Sequence, residues 1–341
     1  MTDALVALKP HIASVMAGNV LDAQAAEAAF ASIMDGGATP AQIAAFLTAL
    51  RMRGESVTEI SAAARVIRAR ALPISAPLDA MDIVGTGGDG SHTLNISTAT
   101  AFVTAACGVP VAKHGNRAVS SRSGMADVLA SLGINLNADF ALLERSLQEA
   151  NLCFMVAPRH HLSFRHVGPV RAELGVRTMF NILGPLCNPA GVRRYLLGVY
   201  APEWVRPIAE TLAQLGCDKA WVVHGAGGLD ELSTLGSNTV CRVKGSEVTE
   251  MEISAQELGI KRADMDELRG SDSEYNAQRL KDLLDGKQDA YRDIVQFGAA
   301  AALVIAEKAT TLEEGMSLAA NAIDDGRARA VLDKLVAITN A

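Results

Sequence analysis

The sequence predicts an α/β protein, with a small all-helical domain ahead of a large α/β domain built on a mainly parallel central sheet. Three observations predict it. The first seventy or so residues carry helical signals and no strand-like run. From Met81 onward, short apolar runs alternate with helical stretches, the pattern of strands joined by helices that pack on the sheet faces. The first two of those runs lead into Gly85-Thr86-Gly87-Gly88-Asp89 and Lys113-His114-Gly115-Asn116-Arg117, and adjacent strand ends are where open α/β sheets hold ligands.

Each element has a local reason. Ala25 to Met34 forms a helix stopped by Gly36-Gly37. Thr39-Pro40 supplies an N-cap and a first-turn proline for a helix whose apolar positions Ile43, Phe46, Leu47 and Leu50 follow helical spacing. Ser56 caps a further helix over Val57 to Ala69. Ala71 to Pro77 contains two prolines in a helix-free run and reads as the linker. Strand Met81 to Val84 then leads through Asn95-Ile96-Ser97-Thr98 into helix Ala99 to Cys107. Strand Val109 to Ala112, helices Met125 to Leu132 and Phe140 to Ala150, and strand Leu152 to Val156 follow. Residues 167 to 181 read as helical and interrupt the rhythm. It resumes with strands Leu196 to Tyr200 and Ala220 to His224 around helix Glu203 to Leu215. Strand-like runs lie in Thr239 to Ile253, and the tail from Tyr275 is largely helical.

The chain has 341 residues, 49% hydrophobic and 20% charged, enough for a sizeable core in one large domain or two unequal ones. A net charge of -7 offers no general attraction to nucleic acid or an anionic membrane, so basic character has to be local. Cys107, Cys153, Cys187, Cys217 and Cys241 are scattered without a C-x-x-C pair and read as reduced thiols. The start lacks a basic then apolar leader pattern, and no apolar run is long enough to span a bilayer. A soluble, cytoplasmic protein is expected.

Glycines at Gly85, Gly87 and Gly88 let backbone N–H groups turn toward a ligand, and the helix start behind them offers unpaired donors with partial positive charge. An anion is the natural guest. The second loop adds two cations, an amide and, at Ser120 and Ser121, two hydroxyls, a contact set suited to phosphate and ribose. The acidic pair Asp230-Glu231 follows a strand and the run Gly225-Ala226-Gly227-Gly228. Such a pair is most often a solvated surface feature, yet it also matches magnesium, which takes one or two carboxylates beside substrate phosphates. Arg171, on the sequence alone, reads as a surface helix arginine.

These residues carry a family resemblance. GTGGDGSHTLNIST (Gly85 to Thr98), KHGNRAVSSRSG (Lys113 to Gly124), PVRAELGVRTMFNILGPLCNPAG (Pro169 to Gly191) and VHGAGGLDEL (Val223 to Leu232) closely resemble the anthranilate phosphoribosyltransferases of tryptophan biosynthesis. The resemblance extends to TPAQIAAFLTALRMRGE near the amino terminus and RDIVQFGAAAAL near the carboxy terminus. It implies transfer of the phosphoribosyl group from 5-phospho-α-D-ribose 1-diphosphate (PRPP) to anthranilate, on an architecture shared with pyrimidine nucleoside phosphorylases.

The residues that the resemblance assigns to PRPP are Gly85, Gly88, Asp89, Thr93, Asn95, Ile96, Ser97, Thr98 and Lys113, then His114, Gly115, Asn116, Arg117, Ala118, Val119, Ser120 and Ser121. Gly85, Asn116 and Arg171 would meet anthranilate, whose carboxylate suits a guanidinium. Ser97, Asp230 and Glu231 would serve two magnesium ions per subunit. His114 and His161 would line the pocket, as candidates for proton transfer. The implied organisation is a helical domain of residues 1–72 joined by a returning segment near 167–190, and a large domain of 78–166 and 191–341. A homodimer through the helical domain is implied as well, with neither nucleic acid nor membrane as partner.

The chain departs from the family pattern in places. Ala118 stands where serine is common, Gly227 where aspartate is common, Leu94 where phenylalanine is common, and His161-Leu162-Ser163-Phe164 replaces a more usual His-Pro-Ala-Met. Two rival readings are a pyrimidine nucleoside phosphorylase, disfavoured by the Lys113 to Arg117 loop with Asp230-Glu231, and a non-catalytic nucleic-acid-binding homologue, disfavoured by the acidic charge and Arg171.

Overall fold

The computed structural model describes residues 8–116 and 124–341. The chain begins with helices α1 (Lys9–Met16), α2 (Ala23–Met34), α3 (Pro40–Arg53) and α4 (Val57–Arg68). Their starts are set locally. Thr39 Oγ1 accepts from the Gln42 amide while Gln42 accepts from the Thr39 amide, and Ser56 and Glu59 form the same reciprocal box at α4.

The α/β part runs β1 (Met81–Gly85), α5 (Ile96–Ala106), β2 (Val111–Gly115), α6 (Met125–Ser131), α7 (Phe140–Ala150), β3 (Leu152–Val156), α8 (Ala157–His160), α9 (Gly168–Leu174), α10 (Phe180–Leu183), β4 (Arg194–Gly198), α11 (Val205–Gln214) and β5 (Lys219–His224). Then come β6 (Ser237–Lys244), β7 (Glu247–Ser254), α12 (Ser273–Leu284), α13 (Ala290–Ile305), α14 (Leu312–Asp324) and α15 (Arg327–Thr339). The seven strands lie in the order β3-β2-β1-β4-β5-β6-β7. β1 to β5 pair in parallel, and β6 and β7 add an antiparallel ribbon at one edge.

Side chains alternate between the faces. Val84, Ala112, Met155, Leu197 and Val222 join a core with α1 to α4, α11 and the segment around Val170 and Phe180. Met81, Ile83, Val111, Phe154 and Val223 join another with α5, α6 and α12 to α15. Both faces are covered, as a parallel sheet requires. The helical module is thereby packed on one face of the sheet, together with the segment that follows α8.

Several boundaries differ from the sequence expectation, among them β4, which runs Arg194–Gly198 instead of Leu196 to Tyr200, and three that bear on the site. β2 starts at Val111 and continues to Gly115, so Lys113 and His114 are strand residues, paired in register with Phe154 and Met155. α5 begins at Ile96, which puts Ser97 and Thr98 in its first turn. The helix expected over 167 to 181 is split: α9 stops at Gly175, whose φ of 61° ends it, and α10 restarts at Phe180.

Candidate active site

Parallel pairing brings the carboxyl ends of β2, β1, β4 and β5 to one edge. The chain direction along the sheet reverses between β1 and β4, where Gly85 and Gly198 lie in register. Such a reversal opens a crevice above the strand ends. Here Asp230 fills its floor: a Cβ on Gly85 would stand 2.2 Å from Asp230 Oδ2, so a side chain there would displace the carboxylate.

Asp230-Glu231 meets both the glycine loop and the start of α5. Asp230 Oδ2 accepts from the Gly87 amide at 2.6 Å, and Glu231 Oε1 accepts from the Ser97 amide at 3.1 Å. Gly87 and Gly88 have φ of 67° and 75°, left-handed backbone that glycine adopts without strain. Asn95, ahead of α5, makes no side-chain cap; its Oδ1 accepts from Asn276 and its carbonyl from the Tyr291 hydroxyl. The Ile96 amide donates to the Leu94 carbonyl, and the next first-turn donor of α5, the Ser97 amide, is left to the Glu231 carboxylate.

The acids carry an electrostatic load. Burial and mutual repulsion raise Asp230 well above the usual carboxylate range, and burial lifts Glu231 to about 7 against the opposing pull of Lys113. Asp89 adds to both shifts from the glycine loop, while its own oxygens accept from the Ser91 amide and hydroxyl. A divalent cation would stabilise both members as carboxylates, and their hard oxygens suit magnesium. Among the described residues, no group of three or more His, Cys, Asp or Glu side chains forms a metal cage.

Lys113 departs from the expected loop position. It is buried, donates to the Ile83 carbonyl, and has its charge supported by Asp82, Glu231 and Asp230 against desolvation. Asp82 accepts from Asn188 Nδ2 at 2.7 Å and the His114 amide at 3.1 Å, and burial raises its pKa to about 7. Lys113 thus acts from beneath the acidic pair, because β2 carries it into the sheet. Thr98 and Ile96 are buried too, so their side chains are part of the packing beneath α5. Thr93 is held by a bridge to Arg269, and Gly115 lies against Met125. Arg117, Ala118, Val119, Ser120 and Ser121 lie outside the described residues; Asn116 follows β2 directly.

An aromatic row starts at β2. His114 meets His161 edge-on at 5.1 Å, His161 meets Phe164 at 5.6 Å, and Phe164 meets Phe180 at 5.6 Å. The Arg171 guanidinium sits 5.5 Å from the centre of the Phe180 ring. No carboxylate or carbonyl pairs with it among the described residues, and burial alone pulls its pKa down. Burial also lowers His114 to about 3 and His161 to about 4, keeping both rings neutral near pH 7. Sequence reasoning missed Arg177 and Asn188. Arg177 donates to the Gly88 carbonyl and lies over the Tyr200 ring at 4.3 Å. Its signal was a second arginine just beyond a helix-ending glycine.

Comparisons with known proteins agree with this fold. Residues 9–71 match the family model described as glycosyl transferase family, helical bundle domain, and residues 78–329 match glycosyl transferase family, a/b domain. An anthranilate phosphoribosyltransferase of Mesorhizobium japonicum is 56% identical over 334 residues, covering 98% of this chain and 99% of the relative. The crystal structure of the Thermus thermophilus enzyme of that name superposes with a TM-score of 0.92 at 42% identity, covering 97% of this chain and 99% of the other. The Saccharomyces cerevisiae enzyme in complex with PRPP and Mg gives 0.89 at 25% identity, with 98% of both chains covered. On this sequence identity over almost the whole length, the chain belongs to the anthranilate phosphoribosyltransferase family.

Proposed function

We propose that this chain transfers the phosphoribosyl group of PRPP to anthranilate, giving N-(5-phosphoribosyl)anthranilate and diphosphate in L-tryptophan biosynthesis. One observation carries the reading: a half-buried Arg171 guanidinium, without a carboxylate or carbonyl partner among the described residues, ends an aromatic row that starts at His114, beside a glycine loop whose Gly87 amide is met by an acid. Such a cation suits an aromatic carboxylate, and such amides suit a diphosphate.

Asp230, Glu231 and Ser97 would hold magnesium, two ions per subunit. Bound there, magnesium would supply charge neutralisation for the departing diphosphate. The Gly85 to Asp89 amides and the first turn of α5 orient the diphosphate, while Lys113 stabilises the acidic pair from below. Arg171, Asn116 and the Gly85 backbone align the amine with the anomeric carbon. Departure of diphosphate develops positive charge on the ribose ring, so positioning and electrostatics carry the reaction without a covalent nucleophile. Neutral His114 and His161 shape the pocket wall.

The proposed organisation keeps residues 1–72 with a returning segment near 167–190, against 78–166 and 191–341. The two units close over the substrates, with the proline-bearing linker as one hinge. The proposed assembly is a homodimer through the helical module, where Met16 and Met52 rim an apolar groove of about 650 Å³. No helix among the described residues is long and apolar enough to cross a membrane. The proposed location is the cytoplasm, in keeping with a biosynthetic role.

The test is loss of anthranilate fluorescence on addition of PRPP and magnesium, beside inosine, uridine or thymidine with phosphate. Turnover in the first mixture alone supports the reading; phosphorolysis without anthranilate consumption refutes it.

A further inference from the structure

The tip of the glycine loop stands in open space: a Cβ on Gly87 or Gly88 would meet nothing within 4 Å. Its base is fixed, since the Thr86 amide donates to the Gly198 carbonyl and Thr86 Oγ1 accepts from the Tyr200 amide, both at 3.0 Å. Thr86 Oγ1 also donates to the Gly87 carbonyl at 3.2 Å, and among the described residues two side chains from outside the loop reach the tip. Asp230 takes the Gly87 amide, and Arg177 donates to the Gly88 carbonyl. The Arg177 contact is separate from the acidic pair and would persist if Asp230 were to hold a metal.

Arg177 is exposed and has no carboxylate partner among the described residues; its planar face rests on Tyr200. It also lies on the connector after α9, the helix that carries Arg171, between the left-handed Gly175 and Thr178, whose amide donates to Asn181 Oδ1 at 2.9 Å. Resting on the proposed transferase reading, we propose that Arg177 is a positioning residue: it locks the donor loop to the acceptor-bearing segment, so that seating an aromatic acid at Arg171 organises the loop amides for diphosphate. A guanidinium suits this role because its fork holds a carbonyl while its face stays stacked.

Calorimetric titration of the full-length protein with magnesium diphosphate, with and without saturating anthranilate, tests this. In the unaltered protein, anthranilate should tighten diphosphate binding about fivefold or more, a usual size for coupling between sites. Arg177→Gln should abolish that gain while keeping the thermal midpoint. Arg177→Lys should also fail to restore it, because an ammonium lacks the fork and the stacked face. Tyr200→Phe should retain the gain and Tyr200→Leu should reduce it, an independent route to the same conclusion. Undiminished coupling in Arg177→Gln, or full restoration by lysine, would overturn the proposal, the latter by showing that charge alone suffices. Turnover of anthranilate with PRPP in the same preparations separates the two ideas. Normal unaltered turnover with coupling insensitive to Arg177 defeats only the positioning role, whereas absent turnover defeats the transferase reading itself.

Discussion

Gly198 and Asp230 meet without room for a side chain: a Cβ on Gly198 would stand 1.7 Å from the Asp230 carbonyl oxygen. The obstructing atom is backbone, so it cannot rotate away. This contact seats the acidic pair over the reversal point of the sheet, within reach of the Gly87 and Ser97 amides.

Gly198→Ala should therefore push the Asp230-Glu231 turn off its seat. Overpacking of this kind costs about 2 kcal/mol or more, several degrees of Tm in a chain of this size. Thermal melting combined with magnesium titration of turnover checks it; an unaltered melt with an unaltered magnesium requirement would contradict the assignment.

Asp230→Asn combined with Glu231→Gln removes two charges and retains approximate shape. Turnover should fall on the order of 100-fold or more, about 2.7 kcal/mol of barrier. Steady-state rates across limiting magnesium decide the matter, and near-normal rates would remove the pair from metal binding.

Arg171→Ala should raise the anthranilate KM strongly, as loss of a buried charge-assisted contact predicts, with PRPP binding little changed. Its guanidinium has no carboxylate or carbonyl partner among the described residues, so truncation orphans no protein acid. Equal weakening of both substrates would point to a folding or closure defect instead.

His161 is held at about 4 by burial, below the ordinary 6.5. The unfolded chain takes up a proton as pH falls through 6.5 while the folded chain does not. Stability is full above 6.5 and is lost toward pH 4. His161→Phe removes this loss. The stability difference between the two proteins should stay constant above pH 7, then move in the variant's favour by about 2–3 kcal/mol at pH 4.5. Denaturant midpoints at both pH values measure it, and parallel curves would show that His161 titrates normally.

Local signals were legible in the sequence because they act over a few residues. Thr39 and Ser56 cap the next turn, α7 and β3 have the limits that their periodicity implied, and the glycine loop announces its own conformation. The family strings carried the substrate class and the acidic pair. Only the tertiary structure decided which groups meet. Asp230 reaches Gly87 across 143 positions and Glu231 reaches Ser97 across 134, contacts that exist because β5 lies beside β4 and β4 beside β1. It also buried Lys113 beneath the acids and brought Arg177 to Gly88. The physical reason is range: caps and periodicity are settled between neighbours along the chain, whereas the pairing of charges follows the order in which strands assemble.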